Sequence, residues 1–197
     1  MRRGSRRKTG LAAARLGAAA VMAMVMLALL APWLSPYHTN TMDLARELEG
    51  PSSKHWMGTG DNGIDVLTHC LYGARVSLLV AVATTAISSV LGVLLGAFAG
   101  YHGGLLDDTL MRIVDVVLAF PGILLAIFIT AVLGPAIEHV VLALAITGWV
   151  GYARLARGQV LALREREYVT AARAIGASDA RIVLRHLLPN LLSPVVR

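Results

Sequence analysis

The residues able to do chemistry are few and scattered. Histidine occurs at His38, His55, His69, His102, His139 and His186. No two of them share the H-x-x-x-H spacing that sets a pair of imidazoles on one helix face for a metal. Each reads as an interfacial or structural group, and no metal is expected. Cys70 is the single cysteine, so no intrachain disulfide can form. No nucleophile lies beside an obvious base. The phosphate loop G-x-x-x-x-G-K-[ST] does not occur, so ATP is not expected to bind in that mode. The reading is a chain that is not an enzyme and takes no cofactor. What it does concentrate is arginine, in the stretch EYVTAARAIGASDARIVLRHLLPN from Glu167 to Asn190.

The elements that must hold that stretch are apolar. Of 197 residues 56% are hydrophobic, and the mean hydropathy is +0.66; a membrane protein is the natural class. The net charge of +6 sits in blocks beside apolar runs, which points to membrane orientation rather than nucleic acid. Leu16 to Leu34 carries no charge and is long enough to span. A cleaved signal peptide is the alternative, but Pro32 follows Ala31, the best small residue, where cleavage is poor. An uncleaved first span is therefore expected. Val76 to Tyr101 is the second span, with Gly92, Gly96 and Gly100 four apart. That spacing either lets a neighbouring helix approach closely or reflects the ordinary glycine content of membrane helices. Val116 to Ile137 is the third, entered through Arg112 and Asp115 and kinked at Pro121. Asp115 is expected to be solvated or paired with Arg112. Val140 to Ala153 is the fourth, with Glu138 and His139 at the interface and Trp149 and Tyr152 in a headgroup belt.

Arginine and lysine set the orientation. With a cytoplasmic N-terminus, all but Arg46, Lys54 and Arg75 of the 18 basic residues fall inside, a strong positive-inside bias. The expected layout is a basic cytoplasmic N-terminus (1–15), span 1 (16–34), an extracytoplasmic loop (35–75), spans 2–4 (76–153), a cytoplasmic segment (154–189) and the start of a fifth span (190–197). Only eleven residues follow His186, too few to cross a bilayer.

Within the cytoplasmic segment, Val169, Ala172 and Ile175 recur at helical spacing. Gly176 is a natural helix stop, Ser178 resembles an N-cap and Asp179 suits the next helix's first turn. Ile182, Val183 and Leu187 then form an apolar stripe, Arg181 and Arg185 a basic one, and Pro189 ends the helix. The prediction is helix, tight corner, helix. By the residues alone it could lie on anionic lipid, be a solvated loop, or dock in a partner's groove.

The same residues carry a family resemblance. The segment resembles the EAA signature of ABC-importer permeases. Thr170, Ala171 and Ala172 stand at the triplet, Gly176 at the glycine, His186 at the isoleucine, and Leu188 and Pro189 at the closing pair. Thr170 for glutamate and His186 for isoleucine are departures that match the peptide-importer branch. HWMGTGDNGIDVLTHCLYGARVSLL, His55 to Leu79, is similar to that branch's outer-loop motif, with Ile64 and His69 where arginine is usual. MRIVDVVLAFPGILLAI and GWVGYARLARGQVLALREREYV also look like it. The chain thus resembles the second permease of dipeptide and oligopeptide importers over residues 16–197, apparently without the family's last two spans.

The resemblance implies an all-α integral membrane fold, a type I ABC-importer permease-like helical bundle with four spans and a cytoplasmic helix-turn-helix coupling loop, in a bacterial inner membrane. It implies ATP-driven import of peptides, with Ala171, Ala172 and Gly176 permitting close packing and Arg173, Asp179 and Arg181 making polar contacts to an ATPase. Thr170, His186 and Pro189 belong to the same coupling set. Implied partners are a sister permease in a heterodimer, two cytoplasmic ATP-binding subunits, an extracytoplasmic substrate-binding protein and membrane lipid. Import of nickel or glutathione, and a shortened non-transporting scaffold, are the alternatives.

Overall fold

The computed structural model describes residues 3–39 and 41–192, with side chains over 13–39 and 41–191. Residues 1–2 of the basic N-terminus and 193–197 of the expected fifth span lie outside the described residues. The described residues contain no strand, only an isolated bridge between Thr59 and Asp65. The long elements are α1 (Arg3–Leu34), α2 (Val66–His102), α3 (Gly104–Ala119), α4 (Gly122–Leu133) and α5 (Ile137–Leu163). The short elements of the charged stretch follow α5. The chain divides into two compact units, Met1–Ala81 and Val82–Arg197, each described in turn.

In the first unit, Ala13–Leu34 of α1 is long and apolar enough to cross a membrane. Val21, Met22 and Leu29 on it are exposed, while Ala28 and Ala31 are fully buried. Such a surface is a liability in water and ordinary in lipid. The loop that follows is tied down by polar contacts. Tyr37 stacks on His55 at 4.8 Å, and Ser35 Oγ donates to Thr68 Oγ1 at 3.0 Å. The buried Asp65 accepts the Thr68 N–H on Oδ2 at 2.8 Å and meets His55 Nδ1 on Oδ1 at 2.9 Å. It thereby caps α2. The helix begins there, ten residues before the expected Val76, because Arg75 ends the charge-free window without ending the helix.

Burial raises the Asp65 pKa, but the Thr68 and His55 hydrogen bonds and the His55 charge outweigh it and hold the carboxyl below its ordinary 3.8. A depressed carboxylate stabilises the fold above its unfolded pKa, and that contribution is lost as pH falls through the folded value. Amide exchange across α2's first turn, corrected for the intrinsic rate at each pH, should therefore stay slow from neutral pH down to about pH 4 and accelerate only below it. Asp65→Ala should accelerate it at neutral pH, costing about 1–3 kcal/mol through the unpaired Thr68 N–H and the lost His55 contact.

In the second unit, α5 is the central helix. The four-residue rhythm Ser88, Gly92, Gly96, Gly100 faces it. A Cβ on Gly92 would stand 2.7 Å from Tyr152 Cβ, and one on Gly96 would stand 2.8 Å from Ala153 Cα, with the Ala153 carbonyl oxygen closer still. The two backbones are thus nearly in contact, so the glycines serve packing rather than reflecting composition. Ser88 Oγ, buried in this seam, reaches Ala145 O at 3.5 Å.

The expected third span is broken rather than kinked. Pro121 separates α3 from α4, and their axes differ by 86°. Among the described residues three helices are long and apolar enough to span, or four if the bent pair counts as one. The expected fourth span is longer than Val140 to Ala153 and runs on to Leu163. Trp149 and Tyr152 sit mid-helix: Trp149 packs beside Val114 and Val150, and Tyr152 backs onto Gly92.

Two ion pairs join α3 to α5. Arg157 grips the buried Asp107 with both Nε and Nη2, at 2.5 and 2.7 Å. Asp115 is solvent-exposed, one of the two expected outcomes, and it pairs with Arg154 at 2.8 Å rather than with Arg112. The sequence offers Arg112 one turn away, but the fold brings α5 alongside.

Candidate functional site

The charged stretch folds as a corner of two helical arms. The first arm is α6 (Glu167–Ala174); the second is α7 (Asp179–Arg181), a π-helical turn (Ile182–Leu187) and α8 (Leu188–Leu192). Glu167 lies in the first turn of α6 and Arg173 in the last, each matching the helix dipole. At the corner Gly176 takes φ +80°, a left-handed conformation that L side chains resist. Its N–H donates to Arg173 O at 2.9 Å, and the Ala177 N–H donates to Ala172 O at 3.0 Å. This pair of bonds is a Schellman closure, which fixes the turn rather than leaving it loose.

Two local expectations fail. Ser178 has the extended backbone of an N-cap but makes no side-chain cap bond. Pro189 does not end the helix. It has no N–H to give Arg185 O, and its ring crowds that carbonyl. The backbone widens instead, with the Leu188 N–H reaching Val183 O. Asn190 Nδ2 then donates to His186 O at 2.7 Å, and the helix continues past the proline.

The inner faces of both arms are apolar and bury one core. Val169 and Ala172 of α6 join Ile182, Val183 and Leu187 of the second arm, with Ala97 and Tyr101 of α2 and Ala156 and Val160 of α5. The expected stripe of Ile182, Val183 and Leu187 is therefore a core stripe. Ile175, in register with Val169 and Ala172, is 86% exposed at the corner.

The site residues divide accordingly. Ala172 is buried in the chain's own core, whereas Thr170, Ala171, Gly176 and Arg181 are exposed. His186 is half-buried and Pro189 exposed. Arg173 and Asp179 are exposed too, and both bond to Tyr101. Arg173 Nε donates to Tyr101 Oη at 3.1 Å, with its guanidinium 4.9 Å from the ring centre. Tyr101 Oη donates to Asp179 Oδ1 at 2.8 Å, and His102 Nε2 lies 3.6 Å from Asp179 Oδ2. The Tyr101 hydrogen bond, against the opposing effect of burial, holds the Arg173 pKa above its ordinary value, helped by Asp179 and Glu165. Just behind the corner, Arg164 Nη1 donates to Gly100 O at 3.0 Å.

Sequence reasoning missed Tyr101, His102 and Arg164. The partners of Tyr101 are 72 and 78 residues away, beyond any local pattern. The one available signal was an aromatic pair closing a charge-free helix. The corner has no arrangement for covalent chemistry, and no cluster of three metal-binding side chains occurs among the described residues. What it can do is mechanical. A rigid turn presents a small-residue surface, Ala171 to Gly176, with one large apolar side chain, Ile175, on it.

Comparison with known proteins places this arrangement. Residues 92–197 match the family described as binding-protein-dependent transport system inner membrane component. Residues 12–51 match the N-terminal TM domain of oligopeptide transport permease C. The chain is 40% identical over 173 residues to the dipeptide transport system permease protein DppC of Bacillus subtilis, covering 88% of this chain and 54% of that protein. It is 35% identical over 183 residues to the oligopeptide transport system permease protein OppC of the same organism, covering 93% and 60%. It is 41% identical over 177 residues to the glutathione transport system permease protein GsiD of Pectobacterium atrosepticum, covering 89% and 59%. The chain thus spans a little over half the length of these curated relatives. Its apolar helices and its matched region, which contains the whole corner, make it a multi-pass membrane protein. The chain belongs to the family of binding-protein-dependent transport system inner membrane components.

Proposed function

We propose that this chain is a permease subunit of an ATP-driven importer for di- or oligopeptides, and that Glu167 to Leu192 is its coupling segment. The observation that carries the reading is the rigid corner at Gly176, which exposes Ile175 and Ala171 while both arms are anchored on α2 and α5. An exposed isoleucine on a locked turn suits insertion into a protein groove, and hydrophobic anchors dominate such contacts. Lipid docking is less well supported, because the apolar stripe that would face lipid is buried in the chain's own core.

In this reading the N-terminus is cytoplasmic. Two ATP-binding subunits hydrolyse ATP, a sister permease completes the path, and an external binding protein delivers the solute. Closure of the ATP sites pushes the corner, and the helices of the second unit re-open the path towards the other side. The free energy comes from ATP, and this chain supplies passage and no bond chemistry.

The 41% identity to a glutathione permease favours glutathione as a second cargo. Uptake of labelled dipeptide and of labelled glutathione, with and without the gene, separates the two. Loss of dipeptide uptake on deletion is expected. Loss of glutathione uptake alone would select the second cargo, and unchanged uptake of both would overturn import of either.

A further inference from the structure

We propose that Tyr101 is a positioning residue that ties the coupling corner to the end of α2, so that corner and helix move as one body. The inference rests on the coupling reading above. Tyr101 is 6% exposed, and its ring lies in the core that both arms of the corner share. Its hydroxyl accepts from Arg173, at the end of the first arm, and donates to Asp179, at the start of the second. One oxygen on α2 therefore joins both arms, on either side of Gly176.

The geometry uses both capacities of a phenol, and phenylalanine would supply neither. The guanidinium above the ring adds a cation–π contact that holds Arg173 over the same side chain. His102, next in sequence, brings a second group from α2 to Asp179. The covalent route from the corner runs to α5 through the short turn between Leu163 and Glu167. The Tyr101 route, with His102 beside it, is the polar one from the two arms to α2. Without it, the corner could shift against α2 while remaining attached to α5, and motion reaching the path through α2 would be lost.

The test is Tyr101→Phe in the complete transporter, in membranes, with two readouts. The first is amide exchange of residues 167–181. Loss of two hydrogen bonds to charged groups should accelerate it about tenfold or more, with exchange along the Gly92–Gly96 seam unchanged. The second is solute imported per ATP hydrolysed, which should fall several-fold while ATPase subunits still co-purify and still hydrolyse ATP. Asp179→Asn, combined with Tyr101→Phe, should add little to either readout, since both break one network. Unchanged exchange and an unchanged transport ratio would overturn the proposal. So would loss of assembly in Tyr101→Phe, which would mark the residue as merely structural. If no ATPase accompanies the wild-type chain, the coupling reading fails, while the exchange measurement still judges the tie between Tyr101 and the corner.

Discussion

Arg157→Ala should be the most damaging single substitution in the second unit, destabilising it by about 3–5 kcal/mol. Arg157 meets Asp107 with two parallel N–H···O bonds, the strongest geometry for a guanidinium and a carboxylate. The Asp107 side chain is 9% exposed. Removing its partner leaves a charge in a poorly solvated place, and that penalty is larger than the net value of the intact pair. The measurement is thermal unfolding of the purified chain in detergent, with yield of folded protein as a second readout. Arg157→Met combined with Asp107→Leu should recover most of the loss, because two apolar groups of similar size leave no unpaired charge. A double variant as unstable as Arg157→Ala would show that packing, not the orphaned carboxylate, dominates. The exposed Asp115–Arg154 pair should behave differently, with Arg154→Ala costing at most about 1 kcal/mol.

Gly96→Leu should separate α2 from α5. Even a methyl group at Gly96 would intrude on the Ala153 backbone, which cannot swing aside as a side-chain tip can. Overpacking of this kind costs about 1–3 kcal/mol where the structure can yield, and a close backbone contact places it at the upper end. Gly100→Ala should be far milder. Its nearest contact is Arg157 O at 3.1 Å, with an Arg157 side-chain carbon at 3.4 Å, so a small adjustment suffices. Melting temperatures of the two variants in one detergent test the order. Equal effects would contradict a seam that tightens towards Gly96.

Much of this was legible in the sequence. Charge-free runs located α1, α2 and α5, and the spacing of Gly92, Gly96 and Gly100 pointed to the face that α5 covers. Gly176 marked the corner, since only a left-handed residue allows that closure, and the apolar pattern of Ile182, Val183 and Leu187 named the buried side of the second arm. The failures have two causes: some depended on what lies across the fold, others on how the local backbone yields. Pro121 predicts a kink, but the 86° bend also reflects how α3 and α4 each pack on α5. Asp115 had an arginine one helical turn away, yet its partner is 39 residues on. Pro189 looks like a helix stop until a π-helical turn and the Asn190 side chain accommodate it. Arg173 and Asp179, which the resemblance marks as contacts to an ATPase, are exposed, and their bonds to Tyr101, 72 and 78 residues away, were invisible in the sequence. Ile175 recurs in helical register with Val169 and Ala172, yet it stands exposed at the corner while they are buried.

Co-purification decides whether this corner engages an ATPase. Tagged chain, extracted from its own cells' membranes, is compared with Gly176→Pro for retained ATP-hydrolysing protein. Proline cannot adopt φ +80° and cannot donate to Arg173 O, so it breaks the corner while leaving α2 to α5 in place. The account predicts that wild-type chain retains ATPase and that Gly176→Pro, present at a comparable level in the membrane, retains little. Equal retention by both, or none by the wild type, would contradict it.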